Sequence, residues 1–231
     1  MTSSPPRVGR VRRNSRADIV TGAIAAVLVC LIAVAVVAGW PPLRAVDFAG
    51  AARGERSGVL YGWWAPLWAT VSAVLGPVTL RVAAAVVLVW ALFRRRSAAA
   101  APAVFVAGTI LLGGVVPVAV KALVRRPRPE QALVDALDSS FPSAHAFGIA
   151  TAVLALLAML AGRVGVRAWR AAALAGAGAV AVICVARVAL AVHYVSDVAA
   201  GVCLAVVWVV AARLAWRALA RRVSASSAAP G

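Results

Sequence analysis

Repeated runs of about twenty apolar residues, separated by arginine-rich breaks, constrain this chain more than any other feature. A run of that length crosses the hydrocarbon core of a bilayer as a helix and leaves no backbone group there unpaired. Of the 231 residues 64% are hydrophobic, and the mean hydropathy of +0.95 is too high for a soluble domain of this size. The expected fold is therefore all-α and polytopic, a six-transmembrane-helix bundle with short extramembrane helices.

Residues 1–17 carry five arginines with Ser and Pro and no apolar period, the composition of a disordered basic tail. Residues 19–39 form the first expected span, longer than a signal-peptide core and not followed by a clear cleavage site. Residues 40–61 hold Pro41, Pro42, Asp47, Arg53, Gly54, Glu55 and Arg56 and read as an extramembrane loop. Within residues 62–93, the prolines 66 and 77 and the tryptophans 63, 64 and 68 predict an interfacial helix and then a span over residues 77–93. Arg94, Arg95 and Arg96 stop it, and residues 98–120 make a third span. Residues 121–141 are rich in Arg and Pro and unsuited to continuous helix. Residues 142–160, 171–190 and 194–214 give the last three spans, the final two joined by a turn with neither Gly nor Pro. Gly176 and Gly178 read as helix-packing positions. The bundle covers residues 18–215, and residues 216–231 form a C-terminal cytoplasmic tail.

A net charge of +17, from 24 Lys+Arg against 7 Asp+Glu, would point to nucleic acid in a soluble protein. Here the charges lie between apolar runs, so they orient the chain in a membrane and no nucleic-acid partner is expected. With the N-terminus inside, the inner segments hold 15 of the 24 basic residues against Asp18 alone, while the outer side holds the other 9 against 6 acids. The positive-inside rule then places both termini in the cytoplasm. Cys30, Cys184 and Cys203 lie in apolar runs without ligand spacing and read as small core residues.

That topology gathers three polar clusters on the outer face. The first is Lys121 with Arg128 and Pro129; basic residues at a membrane edge also snorkel to headgroups. The second runs from Phe141 through Pro142, Ser143 and Ala144 to His145, at a helix start whose N–H groups suit an anion; an ordinary capped helix with a solvated histidine has the same sequence. The third is Arg187, His193 and Asp197. His193 and Asp197 are four apart, so on a helix the carboxylate can orient the imidazole as nucleophile or base. Arg187 can direct its planar fork at an anion in front of that ring. A buried ion pair between helices is the plain alternative for this cluster.

Taken in order, K-x6-R-P, P-S-x-H and R-x5-H-x3-D resemble the signature of the type 2 phosphatidic acid phosphatase superfamily over residues 75–215. The resemblance implies a membrane lipid phosphatase in which His193 attacks phosphorus and becomes a phosphohistidine. Asp197 would hold its tautomer and stabilise the positive ring. Lys121, Arg128, Arg187 and Ser143, with backbone N–H groups near Ala144, would bind the phosphate and stabilise charge on its oxygens. His145 would protonate the leaving oxygen and then activate water. The family usually has Gly where this chain has Ala144, which keeps the N–H but restricts φ.

No metal and no cofactor are implied, since cations surround the phosphate and no carboxylates suited to magnesium accompany the motifs. The expected partner is a lipid phosphate in the cell membrane, presented at an extracytoplasmic site; the oligomeric state is not legible. Undecaprenyl or another polyprenyl diphosphate ranks first, followed by phosphatidylglycerophosphate and phosphatidic acid. A lipid phosphotransferase using the same intermediate and a non-catalytic membrane scaffold or transporter are alternatives. A vanadate-dependent haloperoxidase is disfavoured by so apolar a chain. Arg125 and Arg126 could contact a second phosphate or lie plainly on the surface. The three tryptophans are taken as interfacial anchors in preference to the lining of a lipid entrance.

Overall fold

The computed structural model describes residues 15–136 and 138–226, all helix and connecting segment with no strand among them. The tail expected over residues 1–17 lies outside the described residues up to position 14, and residues 15–17 already belong to α1 (Ser15–Val37). The helices that follow are α2 (Pro41–Leu60), α3 (Trp64–Val74), α4 (Pro77–Phe93), α5 (Ala100–Gly113) and α6 (Val115–Val124). After a long connection come α7 (Ala144–Leu160), α8 (Val166–Ala189) and α9 (Val195–Ser226). Five segments are long and apolar enough to cross a membrane: α1, α3 with α4, α5 with α6, α8 and α9. The apolar α7 has 17 residues, so the expected six spans correspond to five such segments and one shorter helix.

Residues 40–61 form a helix where the sequence suggested a broken loop. Pro41 and Pro42 occupy the first helical positions, where a missing N–H costs nothing. Asp47, Gly50, Ala51 and Gly54 make a stripe of small residues and one buried acid along α2. A Cβ on Gly54 would lie 2.5 Å from the Val188 carbonyl oxygen and 2.9 Å from that of Ala189, and one on Gly50 would lie 2.9 Å from Val195. This stripe lets α2 press on the connection between α8 and α9.

The break between α3 and α4 falls at Leu75 and Gly76, as the prolines predicted. The tryptophans before it are not simply interfacial. Trp63 is exposed, but Trp64 donates its indole N–H to the Ala189 carbonyl at 2.8 Å, and Trp68 packs on Ile149, Ile183 and Ala186.

At the centre α7 packs against α9, α8, α5 and α4, burying Phe147, Ile149, Ala150, Ala155 and Ala158. Alanine dominates these contacts, and small side chains let helix backbones approach closely in lipid. Large apolar residues such as Ile24, Leu31, Val34, Val86 and Leu174 point outward, as an apolar solvent permits. Gly176 meets Val153 of α7, whereas Gly178 has open space around it and Cys30 is exposed, so neither of the latter has the packing role expected.

The far end of the bundle is tied by Asp18, which pairs with Arg213 at 2.9 Å and Arg217 at 2.7 Å, one turn apart on α9. The residues expected as a tail from position 216 continue this helix to Ser226, and residues 227–231 lie outside the described part.

The contact at Gly54 is with backbone, which cannot move aside. Gly54→Ala should therefore destabilise the protein by about 1–3 kcal/mol. Gly178→Ala should leave it unchanged or raise stability by about 0.5–1 kcal/mol. Thermal melting of both variants in detergent checks the pair.

Candidate active site

Four pieces of backbone meet at the end of the bundle opposite Asp18. Helix α6 stops where Arg125 adopts a left-handed conformation (φ 48°) and donates its N–H to the Lys121 carbonyl, which puts Lys121 in the last turn. The connection then folds back, with Ser140 donating its N–H to the Arg126 carbonyl at 2.9 Å. It enters α7 through a cis Phe141–Pro142 peptide and Ser143, whose hydroxyl accepts from the Ala146 N–H at 3.5 Å. The turn between α8 and α9, which lacks Gly and Pro, is made by Ala191 at φ 51°. A left-handed alanine costs about 1–2 kcal/mol, and the hydrogen bonds from Ala191 to the Val188 carbonyl and from Val192 to the Arg187 carbonyl hold it.

His193 follows that turn and is 2% exposed. Its Nδ1 lies 3.5 Å from Asp197 Oδ2, in contact but longer than a hydrogen bond. The Asp197 carboxylate is instead held firmly by others. Its Oδ2 accepts the Tyr194 N–H at 2.9 Å, and its Oδ1 accepts from Arg126 at 2.6 Å. The opposite ring nitrogen, Nε2, faces Arg128, whose guanidinium is 3.4 Å away and donates to the Val192 carbonyl at 2.6 Å. Burial pulls the His193 pKa down to about 4, against the pull of Asp197 and helped by Arg187 and Arg128, so the ring is neutral at physiological pH.

Cations surround that ring. Arg128 also donates to Asp138 Oδ1 at 2.5 Å, and Lys121 pairs with Asp138 Oδ2 at 2.8 Å, so one exposed carboxylate bridges both. Burial favours the neutral acid at Asp138, but Lys121 and Arg128 outweigh it and hold the pKa at about 2. Arg187 is buried within electrostatic range of Arg128, and its Nε makes no hydrogen bond. His145 lies within electrostatic range of Arg187, His193, Arg128 and Lys121, with Nε2 near Gly76 at the break before α4. Ser143 donates its backbone N–H to the Asp197 carbonyl at 3.0 Å, binding the start of α7 to that of α9. Ala144 is the first residue of α7 and has no positive φ, so its side chain fits where the sequence pattern would have glycine.

Every residue singled out in the three clusters is thus at this end of the bundle. Three residues of the same assembly escaped the sequence reading. Arg126 is not at the surface; it lies between Asp47, at 2.7 Å, and Asp197, with its guanidinium 4.1 Å over the Tyr194 ring. Those two carboxylates overcome the cost of burial and raise its pKa. Asp47 sat in the presumed loop, and Asp138 had no motif; only the rarity of acids in this chain could have flagged them. Among the described residues no cluster of three or more His, Cys, Asp or Glu is placed to hold a metal ion.

The family model of the PAP2 superfamily matches residues 102–221, from α5 through most of α9. No match was found among curated proteins. A similar solved structure is that of a transmembrane PAP2 type phosphatidylglycerolphosphate phosphatase from Bacillus subtilis. It is 16% identical, with a TM-score of 0.70 over 84% of this chain and 94% of the other. At that identity the likeness speaks for the fold alone, but the family match spans more than half of the chain, and the chain belongs to the PAP2 superfamily.

Proposed function

We propose that the protein is a membrane phosphatase that hydrolyses a phosphomonoester or diphosphate carried on a lipid, through a phosphohistidine at His193. The observation that carries this reading is a buried, neutral histidine with a carboxylate behind one nitrogen and an arginine 3.4 Å from the other. Nδ1 faces Asp197, so Nε2 is the nucleophile and Nδ1 keeps the proton. Nε2 forms a bond to phosphorus as the bond to the leaving oxygen breaks, and His145 gives that oxygen a proton. Asp197 then stabilises the positive ring. Lys121, Arg128 and Arg187, with Ser143 and the N–H groups at the start of α7, take the phosphate oxygens. The unpaired Arg187 Nε is a donor suited to one of them. His145, now the base, takes a proton from water, which attacks phosphorus, releases orthophosphate and restores both histidines. No metal enters these steps, because the cations are supplied by side chains.

A lipid substrate is supported by the apolar surroundings and by a groove of about 380 Å³ beside the α8–α9 turn, lined by Gly54, Trp64, Val188, Val195 and Val198. On this reading the chain crosses the membrane six times with both termini in the cytoplasm. The site lies about 24–30 Å along α9 from the Asp18–Arg213–Arg217 cluster, so it opens on the extracytoplasmic face. A polyprenyl diphosphate such as undecaprenyl diphosphate suits that face best. Phosphatidylglycerophosphate is the second reading, favoured by the name of the similar Bacillus subtilis structure.

Purified protein in detergent with EDTA should release orthophosphate from at least one of polyprenyl diphosphate, phosphatidylglycerophosphate and phosphatidic acid, and His193→Ala should lower that rate by more than about a thousandfold. Loss of release in EDTA would sink the metal-free mechanism. The value of kcat/KM should not fall as the pH is lowered from roughly 7.5 to 5.5, since the nucleophile protonates only near pH 4 and the acid, His145, only gains protons on the way down. A histidine of ordinary pKa would lose about tenfold over that range. Asp138→Asn removes the carboxylate that occupies two phosphate-binding cations, so orthophosphate should inhibit the variant about two- to fivefold more tightly. An unchanged inhibition constant would show that Asp138 does not compete with phosphate.

A further inference from the structure

Asp47 is 1% exposed on α2, a helix outside the residues that the family model matches, and it belongs to none of the three motif clusters. Its carboxylate has a full set of partners. Oδ1 accepts the Ser196 N–H at 2.9 Å; Oδ2 accepts the Ser196 hydroxyl at 2.6 Å and the Arg126 guanidinium at 2.7 Å. Ser196 is the second residue of α9, so its N–H is one of those that the helix itself leaves without a partner. A carboxylate from α2 therefore caps the start of α9, one residue before Asp197.

The second link runs through charge. Arg126 reaches Asp197 Oδ1 at 2.6 Å and Asp47 Oδ2 at 2.7 Å, so its single positive charge is shared between two buried carboxylates. With Asp47 present the three groups sum to one negative charge beside His193. Without it Arg126 would neutralise Asp197, leaving no net negative charge to stabilise a positive phosphohistidine ring. The neighbouring residue on α2, Phe48, packs edge-on at 5.7 Å against Tyr194, the residue that follows His193.

We propose that Asp47 is a positioning residue for phosphoryl transfer, holding Asp197 and the start of α9 through Arg126 and Ser196 and keeping the pocket behind His193 net negative. The proposal rests on the reading of His193 as nucleophile. Asp47 touches no substrate atom, so its effect falls on the chemical step and not on lipid binding.

The test measures kcat and KM of full-length protein in detergent for Asp47→Asn, Asp47→Glu, Asp197→Asn, the Asp47→Asn/Asp197→Asn double variant and His193→Ala, each corrected for the folded fraction. Asp47→Asn should lower kcat roughly 10- to 100-fold with KM within about twofold, and Asp47→Glu should recover part of the loss. The double variant should be no slower than Asp197→Asn alone, because both substitutions break one relay. Wild-type kcat in folded Asp47→Asn, or effects that multiply in the double variant, would overturn the proposal. Should Asp47→Asn fail to fold, Ser196→Ala deletes the two hydroxyl bonds of the relay, to Asp47 and from Arg126, and leaves both carboxylates. A kcat lowered about three- to tenfold at constant KM supports the role, and an unchanged kcat refutes it. Activity surviving in His193→Ala would instead defeat the reading of the nucleophile, an outcome that the Asp47 variants cannot mimic.

Discussion

A single guanidinium, that of Arg126, joins parts of this protein that lie far apart in sequence. It ties α2 through Asp47 to the start of α9 through Asp197, and it stacks on Tyr194 beside the buried histidine. Burying three charges at the end of an apolar bundle is costly unless each finds partners. Here both carboxylates accept backbone N–H groups as well as the guanidinium, so hydrogen bonds and ion pairs act together. The Asp47 carboxylate that caps α9 belongs to this same cluster. Removing Arg126 would leave two carboxylates buried without a counter-charge.

Around this anchor the packing is simple. Alanine and glycine along α2, α7, α8 and α9 let backbones approach, and tryptophan indoles from α3 and α9 close the gaps with hydrogen bonds to carbonyls of other helices. The helices that begin at the site run away from it to the arginine-rich opposite end, where Asp18 binds α1 to α9. One end thus gathers the candidate site and the other the arginines that pair with Asp18.

The sequence made legible what depends on local pattern. The break before Pro77, the start of α7 at the Pro142–Ser143 pair and the convergence of Lys121, Arg128, His145, Arg187, His193 and Asp197 all follow from apolar runs and motif spacing. It concealed what depends on partners far along the chain. Residues 40–61 look like a loop because hydropathy averages out over a helix whose buried face is made of glycine, alanine and one aspartate. Arg126 looks like its neighbour Arg125 until Asp47 and Asp197 lie on either side of it. The spacing suggested His193 and Asp197 on one helix, but His193 lies in the turn before α9, and its 3.5 Å separation from Asp197 reflects competition from Arg126 and the Tyr194 N–H that no spacing rule contains.

On the proposed reading, a neutral imidazole with an acid behind Nδ1 and cations before Nε2 accepts a phosphoryl group and passes it to water. Trapping that intermediate tests the claim most directly: the protein mixed with a labelled lipid phosphate, quenched in alkali within the first turnover and mapped by mass spectrometry. The account predicts an acid-labile phosphoramidate on His193 whose formation keeps pace with release of the dephosphorylated lipid. Turnover without that adduct, or phosphate on any other residue, would contradict it.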